Sequence, residues 1–415
     1  MKICVRLFLL LLLITFSSQV RAQTRKTPKA LFIIVDGIPA DVIEKLQPPA
    51  LMNIAKSGGY TRSYTGGTKG GYNQTPTISA PGYNNLITGV WGNKHNVWDN
   101  DINEPNYNYW NIFRIAEKTN PSLRTAVFST WTDNRTKLVG EGLMEAGNIR
   151  LDYSFDGLEL DTITYPHDKE AVYIRNIDEA VAAEAARVVK EQGPDLSWVY
   201  LEYTDDMGHR FGDSDQFHNA IIGADQQIGR IRDAITFREQ SFNEDWLLII
   251  TTDHGRDART GKDHGGQSDR ERLTWIVTNS TNLNEHFRQT PAVVDILPSI
   301  CNHLGIKIPE DVRNELDGTP FIGPLEFSDL KATKAGTRIT LEWKSYVNDD
   351  RDLSVYICAT NHIKRGDADQ YIKVGEVPVR SGKHSFSFQS NSEFFKIVIK
   401  TPAQAANTWL GNAPK

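Results

Sequence analysis

Cysteine is scarce in this chain: three residues in 415, at positions 4, 301 and 358. So few thiols exclude a disulfide-stapled scaffold and a thiolate zinc site, so any bound metal must be held by histidines and carboxylates. Cys301 lies among apolar neighbours in the helical pattern VVDILPSICNHLGI, which predicts a buried free thiol rather than a partner for Cys358. Positive charge is also short. Lys and Arg number 46 against 52 Asp and Glu, a formal charge of -6, which argues against a nucleic-acid-binding surface. Beyond the first residues no run is apolar enough to cross a bilayer. Internal repeats and long low-complexity linkers are absent as well.

What is there begins with MKICVRLFLLLLLITFSSQVRAQ. Lys2 and Arg6 precede an apolar run over 7–16, and small and polar residues follow to Ala22. This is the pattern of a secretory signal peptide cleaved near Ala22, with a run too short for a mature membrane anchor. Cys4 precedes the apolar run, so it is not a lipid-bearing residue at the cleavage point. Residues 1–22 carry Lys2, Arg6 and Arg21 and no acid, so their removal shifts the formal charge from -6 to -9. The mature chain is expected to be soluble and extracytoplasmic, periplasmic or secreted.

The length predicts two or three domains. From residue 23 to 324, short apolar runs alternate with helical patterns. ALFIIVDG (30–37), LRTAVFST, LSWVYLEYTD, DWLLIITTDHG and RLTWIVTN read as buried strands. IRNIDEAVAAEAARVVKEQ (174–192) and FHNAIIGADQQIGRIRDAI (217–235) read as amphipathic helices, and ADVIEKLQPPALMNIAKSGG as a helix interrupted by prolines. The alternation specifies an α/β fold with a mainly parallel central sheet flanked by helices. From 325 to 415 the helices vanish. Short alternating stretches, among them RITLEW, LSVYICATN and FFKIVIKT, predict a small all-β sandwich. RITLEW, with Trp343, resembles the second strand of fibronectin type III domains. Without a long linker, the sandwich is expected to dock on the larger domain.

In parallel α/β sheets ligands gather at the carboxyl ends of the strands. Three runs place acids there: Asp36 in VDG, Asp205 in YTDD and Asp253 in TTDHG. His209 follows Asp205 by four residues, His254 is adjacent to Asp253, and His264 comes ten residues later in KDHGG. Adjacent ligands of mixed type point to metal binding rather than packing. Carboxylates and imidazoles without thiolate suit Zn2+ first and Mn2+ next. Six such groups exceed the needs of one tetrahedral ion, which points to two, able to clamp the attacking and leaving oxygens of an in-line displacement. Ser79, in TISAPG, is a weak nucleophile on its own, and a bound cation stabilises its alkoxide without a neighbouring base.

The ordered set VDG, T-x-S-x-P-G, D-x-x-G-H-x-x-G, T-D-H-G and H-G-G resembles the alkaline phosphatase superfamily, and within it the nucleotide pyrophosphatases and type I phosphodiesterases, from about residue 28 to 323. The resemblance implies an alkaline-phosphatase-like fold and two divalent ions. Asp205, His209 and His264 would bind one; Asp36, Ser79, Asp253 and His254 would bind the other. It makes Ser79, two residues before Pro81, the catalytic nucleophile that forms a phosphoseryl intermediate. It also makes Asn100 a phosphate contact and a small-molecule phosphate ester the substrate.

The chain departs from the family pattern at several points. Ser79 replaces the usual Thr, with the same hydroxyl chemistry. Ala80 stands where nucleotide-hydrolysing members carry an aromatic, and Gly82-Tyr83 where they tend to carry Asn-His, which weakens a nucleotide assignment. The Lys-x-Arg pair of the superfamily's periplasmic monoesterases is missing; LDTITYPHDKE (160–170) has only Lys169. That tilts the expectation to diesters, with a phosphomonoesterase as the alternative and an inactive binding protein as a third reading. Tyr83 in place of the Arg of a C/S-x-P-x-R frame argues against a sulfatase. Trp98, Tyr107, Tyr109 and Trp110 are expected to pack, with pocket lining as the alternative, and His95, His218 and His303 are read as structural.

Overall fold

The apolar run near the front forms β1 (Thr27–Val35), fully buried from Lys29 onward. In the computed structural model, which describes residues 26–411, β1 is the middle of a seven-stranded sheet. The sheet also contains β2 (Gly59–Tyr64), β3 (Thr125–Ser129), β4 (Tyr153–Phe155), β5 (Leu196–Leu201), β6 (Glu244–Thr251) and β7 (Leu273–Thr278), in the order β2-β7-β6-β1-β5-β3-β4. β6, β1, β5, β3 and β4 pair in parallel; β7 runs antiparallel to β6, and β2 antiparallel to β7. The mainly parallel sheet holds, with an antiparallel reversal toward one edge. The predicted signal peptide lies outside the described residues. Among the described residues no helix is long and apolar enough to cross a membrane.

Helices cover both faces, as a sheet buried on both sides requires. Ala30, Phe32 and Ile34 of β1 point into one core with α3 (Ser79–Thr88), α4 (Ile112–Thr119) and α8 (Ile296–Leu304). Leu31, Ile33 and Val35 point into the other, formed with α5 (Val172–Gln192), α6 (Tyr203–Phe211) and α7 (Asp215–Ser241). The stretch with two prolines is two helices, α1 (Ala40–Leu46) and α2 (Pro49–Ser57). The chain reverses at Gln47, φ 47°, whose N–H caps Ile43, and Pro49 then opens α2 where its missing N–H costs nothing. Cys301, in α8, is a buried free thiol, and Cys358 is also unpaired.

After α9 (Glu310–Glu315) the chain forms seven antiparallel strands. β8 (Phe327–Ala335), β9 (Arg338–Ser345) and β12 (Lys383–Ser387) make one sheet; β10 (Asp352–Cys358), β11 (Ile372–Pro378), β13 (Phe395–Lys400) and β14 (Ala405–Leu410) make the other. Their inward residues, including Ile339, Leu341, Val355, Ile397 and Ile399, form a separate core. Trp343 packs there and donates its indole N–H to Val379 O (2.7 Å).

This region is docked by buried charge. Lys396 Nζ of β13 pairs with Glu315 of α9 and with Asp369 (2.6 Å), and Lys94 Nζ pairs with Asp317 (2.6 Å) and reaches Asn407 Oδ1 of β14 (2.9 Å). Tyr72, in the loop ahead of α3, stacks on Trp409 of β14 at 5.3 Å. Lys396→Met leaves Glu315 and Asp369 buried without their cation, which costs about 3–5 kcal/mol. We expect a lower unfolding midpoint in urea, only partly restored by the double variant with Glu315→Met, because Asp369 still lacks its cation; an unchanged midpoint in the single variant would show that these pairs carry no net stability.

Candidate metal centre and nucleophile

All the predicted ligands but His264, which a loop carries, sit at or just beyond a strand or helix end. Asp36 follows β1, and Asp253 and His254 follow its neighbour β6. Asp205 lies in the first turn of α6, just after β5, and His209 stands one turn on, so both face the same side. The return loop to His264 is organised by Asp257, whose carboxylate accepts N–H bonds from Arg259, Thr260, Lys262 and Asp263.

The structure brings these side chains into two groups. In one, Asp205, His209 and His264 converge: His209 Nε2 is 3.2 Å from Asp205 Oδ2 and 2.9 Å from His264 Nε2. In the other, His254 Nε2 is 3.2 Å from Asp253 Oδ2 and 3.4 Å from Asp36 Oδ1. The groups adjoin, for the His254 and His264 rings stack at 3.8 Å. Ser79 opens α3 with its Oγ 3.4 Å from His254 Nε2. Asn100 is beside it: Ala80 N–H donates to Asn100 Oδ1 (3.0 Å), and Nδ2 has no hydrogen-bond acceptor among the described residues.

The donor set fits divalent cations. His254 Nδ1 is 3.0 Å from Gly255 O and His264 Nδ1 is 3.0 Å from Thr77 O, so each ring holds its proton on Nδ1 and presents the Nε2 lone pair inward. Asp36 Oδ1 and Asp253 Oδ2 are buried without a hydrogen-bond partner among the described residues, a costly state for an acid that no cation neutralises. Burial, then the nearby Asp205 charge, pushes the Asp36 carboxyl up to about 7. Asp253 is raised well above its usual range by burial and by Asp36, and burial holds His254 well below its ordinary value. A bound cation reverses that balance in favour of carboxylate and neutral imidazole.

Several supporting residues escape a reading of motifs. Arg256 is fully buried. Its Nε donates to Gly37 O (2.9 Å), Nη1 to Lys262 O (2.8 Å) and Nη2 to Asp205 O (2.8 Å), and Nη2 also pairs with Asp205 Oδ1. Burial pushes Asp205 up, but Arg256 and the His209 hydrogen bond outweigh it and hold the carboxyl below its usual range. The hydroxyls of Tyr83 and Tyr200 (2.8 Å) both lie on Asp36 Oδ2, which turns Oδ1 toward the centre. Thr77 Oγ1 donates to Gly266 O and accepts from Gly265 N–H, fixing the loop that carries His264. Tyr83, one helical turn after Ser79, and Arg256, two residues after His254, were within reach of the sequence; Tyr200 was not.

Two glycines are required by close approach. A Cβ on Gly82 would stand 2.8 Å from Asp253 Cβ, so α3 can carry Ser79 against the end of β6 only without a side chain there. Gly37 has φ +67°, and a Cβ on it would meet Asp205 Oδ1 at 2.4 Å. The predicted aromatic cluster divides. Tyr109 is buried, and Tyr107 and Trp110 pack against the core in the turns before α4, whereas Trp98 is 41 % exposed. His95, fully buried between Asn85 Oδ1 and Val97 N–H, is structural.

An alkaline-phosphatase-like sheet with carboxylate and imidazole groups gathered beside a helix-opening serine defines the class of site. Residues 30–316 match the model of the type I phosphodiesterase / nucleotide pyrophosphatase family, and the chain belongs to that family. Human ectonucleotide pyrophosphatase/phosphodiesterase family member 1 is 22 % identical over 237 residues, 55 % of this chain and 24 % of that protein. Human family member 5 is 24 % identical over 252 residues, 58 % of this chain and 46 % of that one. The chain thus spans less than half the length of these relatives. The phosphonate monoester hydrolase of Agrobacterium radiobacter shares the fold, with a TM-score of 0.52 at 15 % identity over 92 % of this chain and 89 % of that one.

Proposed function

We propose that this chain is a two-metal hydrolase of phosphoric diesters that works through a phosphoseryl intermediate on Ser79. The observation that carries the reading is the position of Ser79 Oγ, 3.4 Å from His254 Nε2 beside two groups of potential ligands whose buried carboxylate oxygens lack partners. Asp205, His209 and His264 would hold one ion; Asp36, Asp253 and His254, with Ser79, the other. Bound zinc or manganese would supply charge that lowers the pKa of the serine hydroxyl and of water and balances phosphoryl oxygens.

Ser79 Oγ attacks phosphorus as its proton passes to solvent, the P–O bond to the first alcohol breaks in line, and the departing oxygen takes up a proton from solvent to leave as the alcohol. Water then cleaves the serine–phosphorus ester, returning the Ser79 hydroxyl and releasing the phosphate monoester of the second alcohol. Asn100 Nδ2, without an acceptor among the described residues, donates to a phosphoryl oxygen. The amino end of α3 adds favourable potential at the same place. Charge supports a diester over a monoester. Arg256, the guanidinium beside the ligands, spends four of its five N–H groups on Gly37, Lys262 and Asp205 and its charge on Asp205, which leaves little for a dianion. The amino-terminal pattern supports an extracytoplasmic location.

Hydrolysis of a bis-aryl phosphate, an aryl phosphate and an aryl sulfate, each before and after chelation, tests the reading. The diester is expected to lead the monoester by about tenfold or more in kcat/KM, the ratio that about 1.4 kcal/mol of uncompensated charge gives. Chelation should abolish turnover and zinc or manganese restore it. A preference for the dianionic aryl phosphate would move the assignment to a phosphomonoesterase, and turnover untouched by complete metal removal would end the two-ion mechanism.

A further inference from the structure

Two tyrosines stand behind the buried group of ligands. Tyr83, one turn on from Ser79 in α3, takes the place of the family's usual His, and Tyr200 lies near the end of β5; both are buried. The Tyr83 hydroxyl bonds Asp36 Oδ2, the Tyr200 hydroxyl bonds the same oxygen (2.8 Å), and the two hydroxyl oxygens are 2.8 Å apart. Two protons serve these three contacts, so Oδ2 accepts at least one of them and is crowded by both phenol oxygens. Oδ1 is left bare.

The other members of the group are limited in the same way. Asp253 Oδ1 accepts from Gly37 N–H (3.2 Å), and Oδ2 has no hydrogen-bond partner among the described residues. His254 Nδ1 lies on Gly255 O, which leaves Nε2. Asp36, Asp253 and His254 thus offer one atom each, and Ser79 Oγ makes a fourth. His254 Nε2 stands 3.2 Å from Asp253 Oδ2, 3.4 Å from Asp36 Oδ1 and 3.4 Å from Ser79 Oγ. Donors on arms of about 2.0–2.1 Å around a four-coordinate zinc ion are about 3.3–3.4 Å apart. Around six-coordinate magnesium, with arms as short, they are about 2.9 Å apart. The gap among these atoms is too small for a water molecule and suits a bare cation.

The first group is open by contrast. Asp205 Oδ1 is paired with Arg256, and Oδ2 lies 3.2 Å from His209, whose side chain is 43 % exposed, so water can complete a larger shell there. We propose, resting on the two-ion reading, that Tyr83 and Tyr200 are positioning residues for the buried group. They hold Asp36 to a single ligating oxygen and so make that group select a four-coordinate ion over a six-coordinate one. Freed of both hydroxyls, Oδ2 becomes a second oxygen ligand and the shell can grow.

The test compares Tyr83→Phe, Tyr200→Phe and the double variant with their parent, all carrying His209→Ala so that only the buried group keeps its full ligand set. Zinc and manganese affinities are read by competition with a chromogenic chelator, and cobalt serves as a spectroscopic probe of ligand number. The parent should prefer zinc. The double variant should lose about 10–100-fold in zinc affinity and much less in manganese affinity, so that the preference narrows about tenfold. Its visible cobalt absorption should weaken as ligands are added. Each single variant should fall between, and carries the test if the double variant does not fold. Equal losses for both ions with an unchanged cobalt spectrum would overturn the proposal, since packing alone does that. A zinc-to-manganese ratio unmoved in every variant would overturn it too, while leaving the two-ion reading standing. Unmodified protein that binds neither ion would end both.

Discussion

Ser79→Ala should reduce turnover of a bis-aryl phosphate by about 10⁴-fold or more, because the proposed covalent intermediate forms on its hydroxyl. Thr77 and Thr75 are the nearest candidates in sequence, and both are committed elsewhere. Thr77 Oγ1 bridges Gly265 and Gly266, and Thr75 Oγ1 accepts from Gly92 N–H. The variant should keep its fold, since among the described residues Ser79 Oγ has no hydrogen-bond partner besides His254, and alanine suits a helix's first turn. Its metal content, measured by elemental analysis, should stay near two per chain, because six ligands remain. Quench-flow with labelled diester would trap a phosphoprotein in the parent and none in the variant. Near-parental turnover by Ser79→Ala would remove the nucleophile assignment while leaving the metal assignment standing, and loss of metal alongside turnover would mean that Ser79 serves chiefly as a ligand.

Arg256→Met is expected to cost about 3–5 kcal/mol of folding stability in the metal-free protein, the penalty for removing the buried partner of a largely buried ion pair. The guanidinium joins three separate segments at once: Gly37 after β1, Asp205 at the start of α6 and Lys262 in the return loop. Removing it frees Asp205 Oδ1 and unties all three. Bound zinc would return part of the lost charge balance, so denaturation with and without zinc should show a larger loss without it. Zinc stoichiometry should fall at low free metal even where the fold survives. Arg256→Lys keeps the charge but lacks the planar fork, so it should recover only part of the stability. Equal losses in the two conditions would mean that Arg256 acts by packing alone.

The parts of the centre that were legible in the sequence are those fixed by strand ends. Asp36, Asp205 and Asp253 could be recognised because a buried parallel strand must stop where its polar residues begin, and the carboxyl edge of such a sheet is open. His209 was placed by helical spacing from Asp205, and His254 by adjacency. Tyr200 resists such reading, and so do the partners of Arg256 and Tyr83, close as those two stand to the motifs, because long side chains reach across elements whose mutual position only the packed sheet sets. The direction of β7 was equally hidden, for RLTWIVTN is as apolar as a parallel strand and reverses only because it returns beside β6. β2, with the sequence GYTRSY, is an edge strand too polar to announce itself, and β4 has only three residues.

Tyr72 lies on Trp409, seven residues ahead of the serine, and Trp409 N–H bonds the Tyr72 hydroxyl at 3.2 Å. The last strand of the chain is therefore mechanically part of the loop that presents the attacking group. Exchanging the carboxyl-terminal strands for another module would remove the seat on which Tyr72 rests, and with it one support of the loop that leads to Ser79.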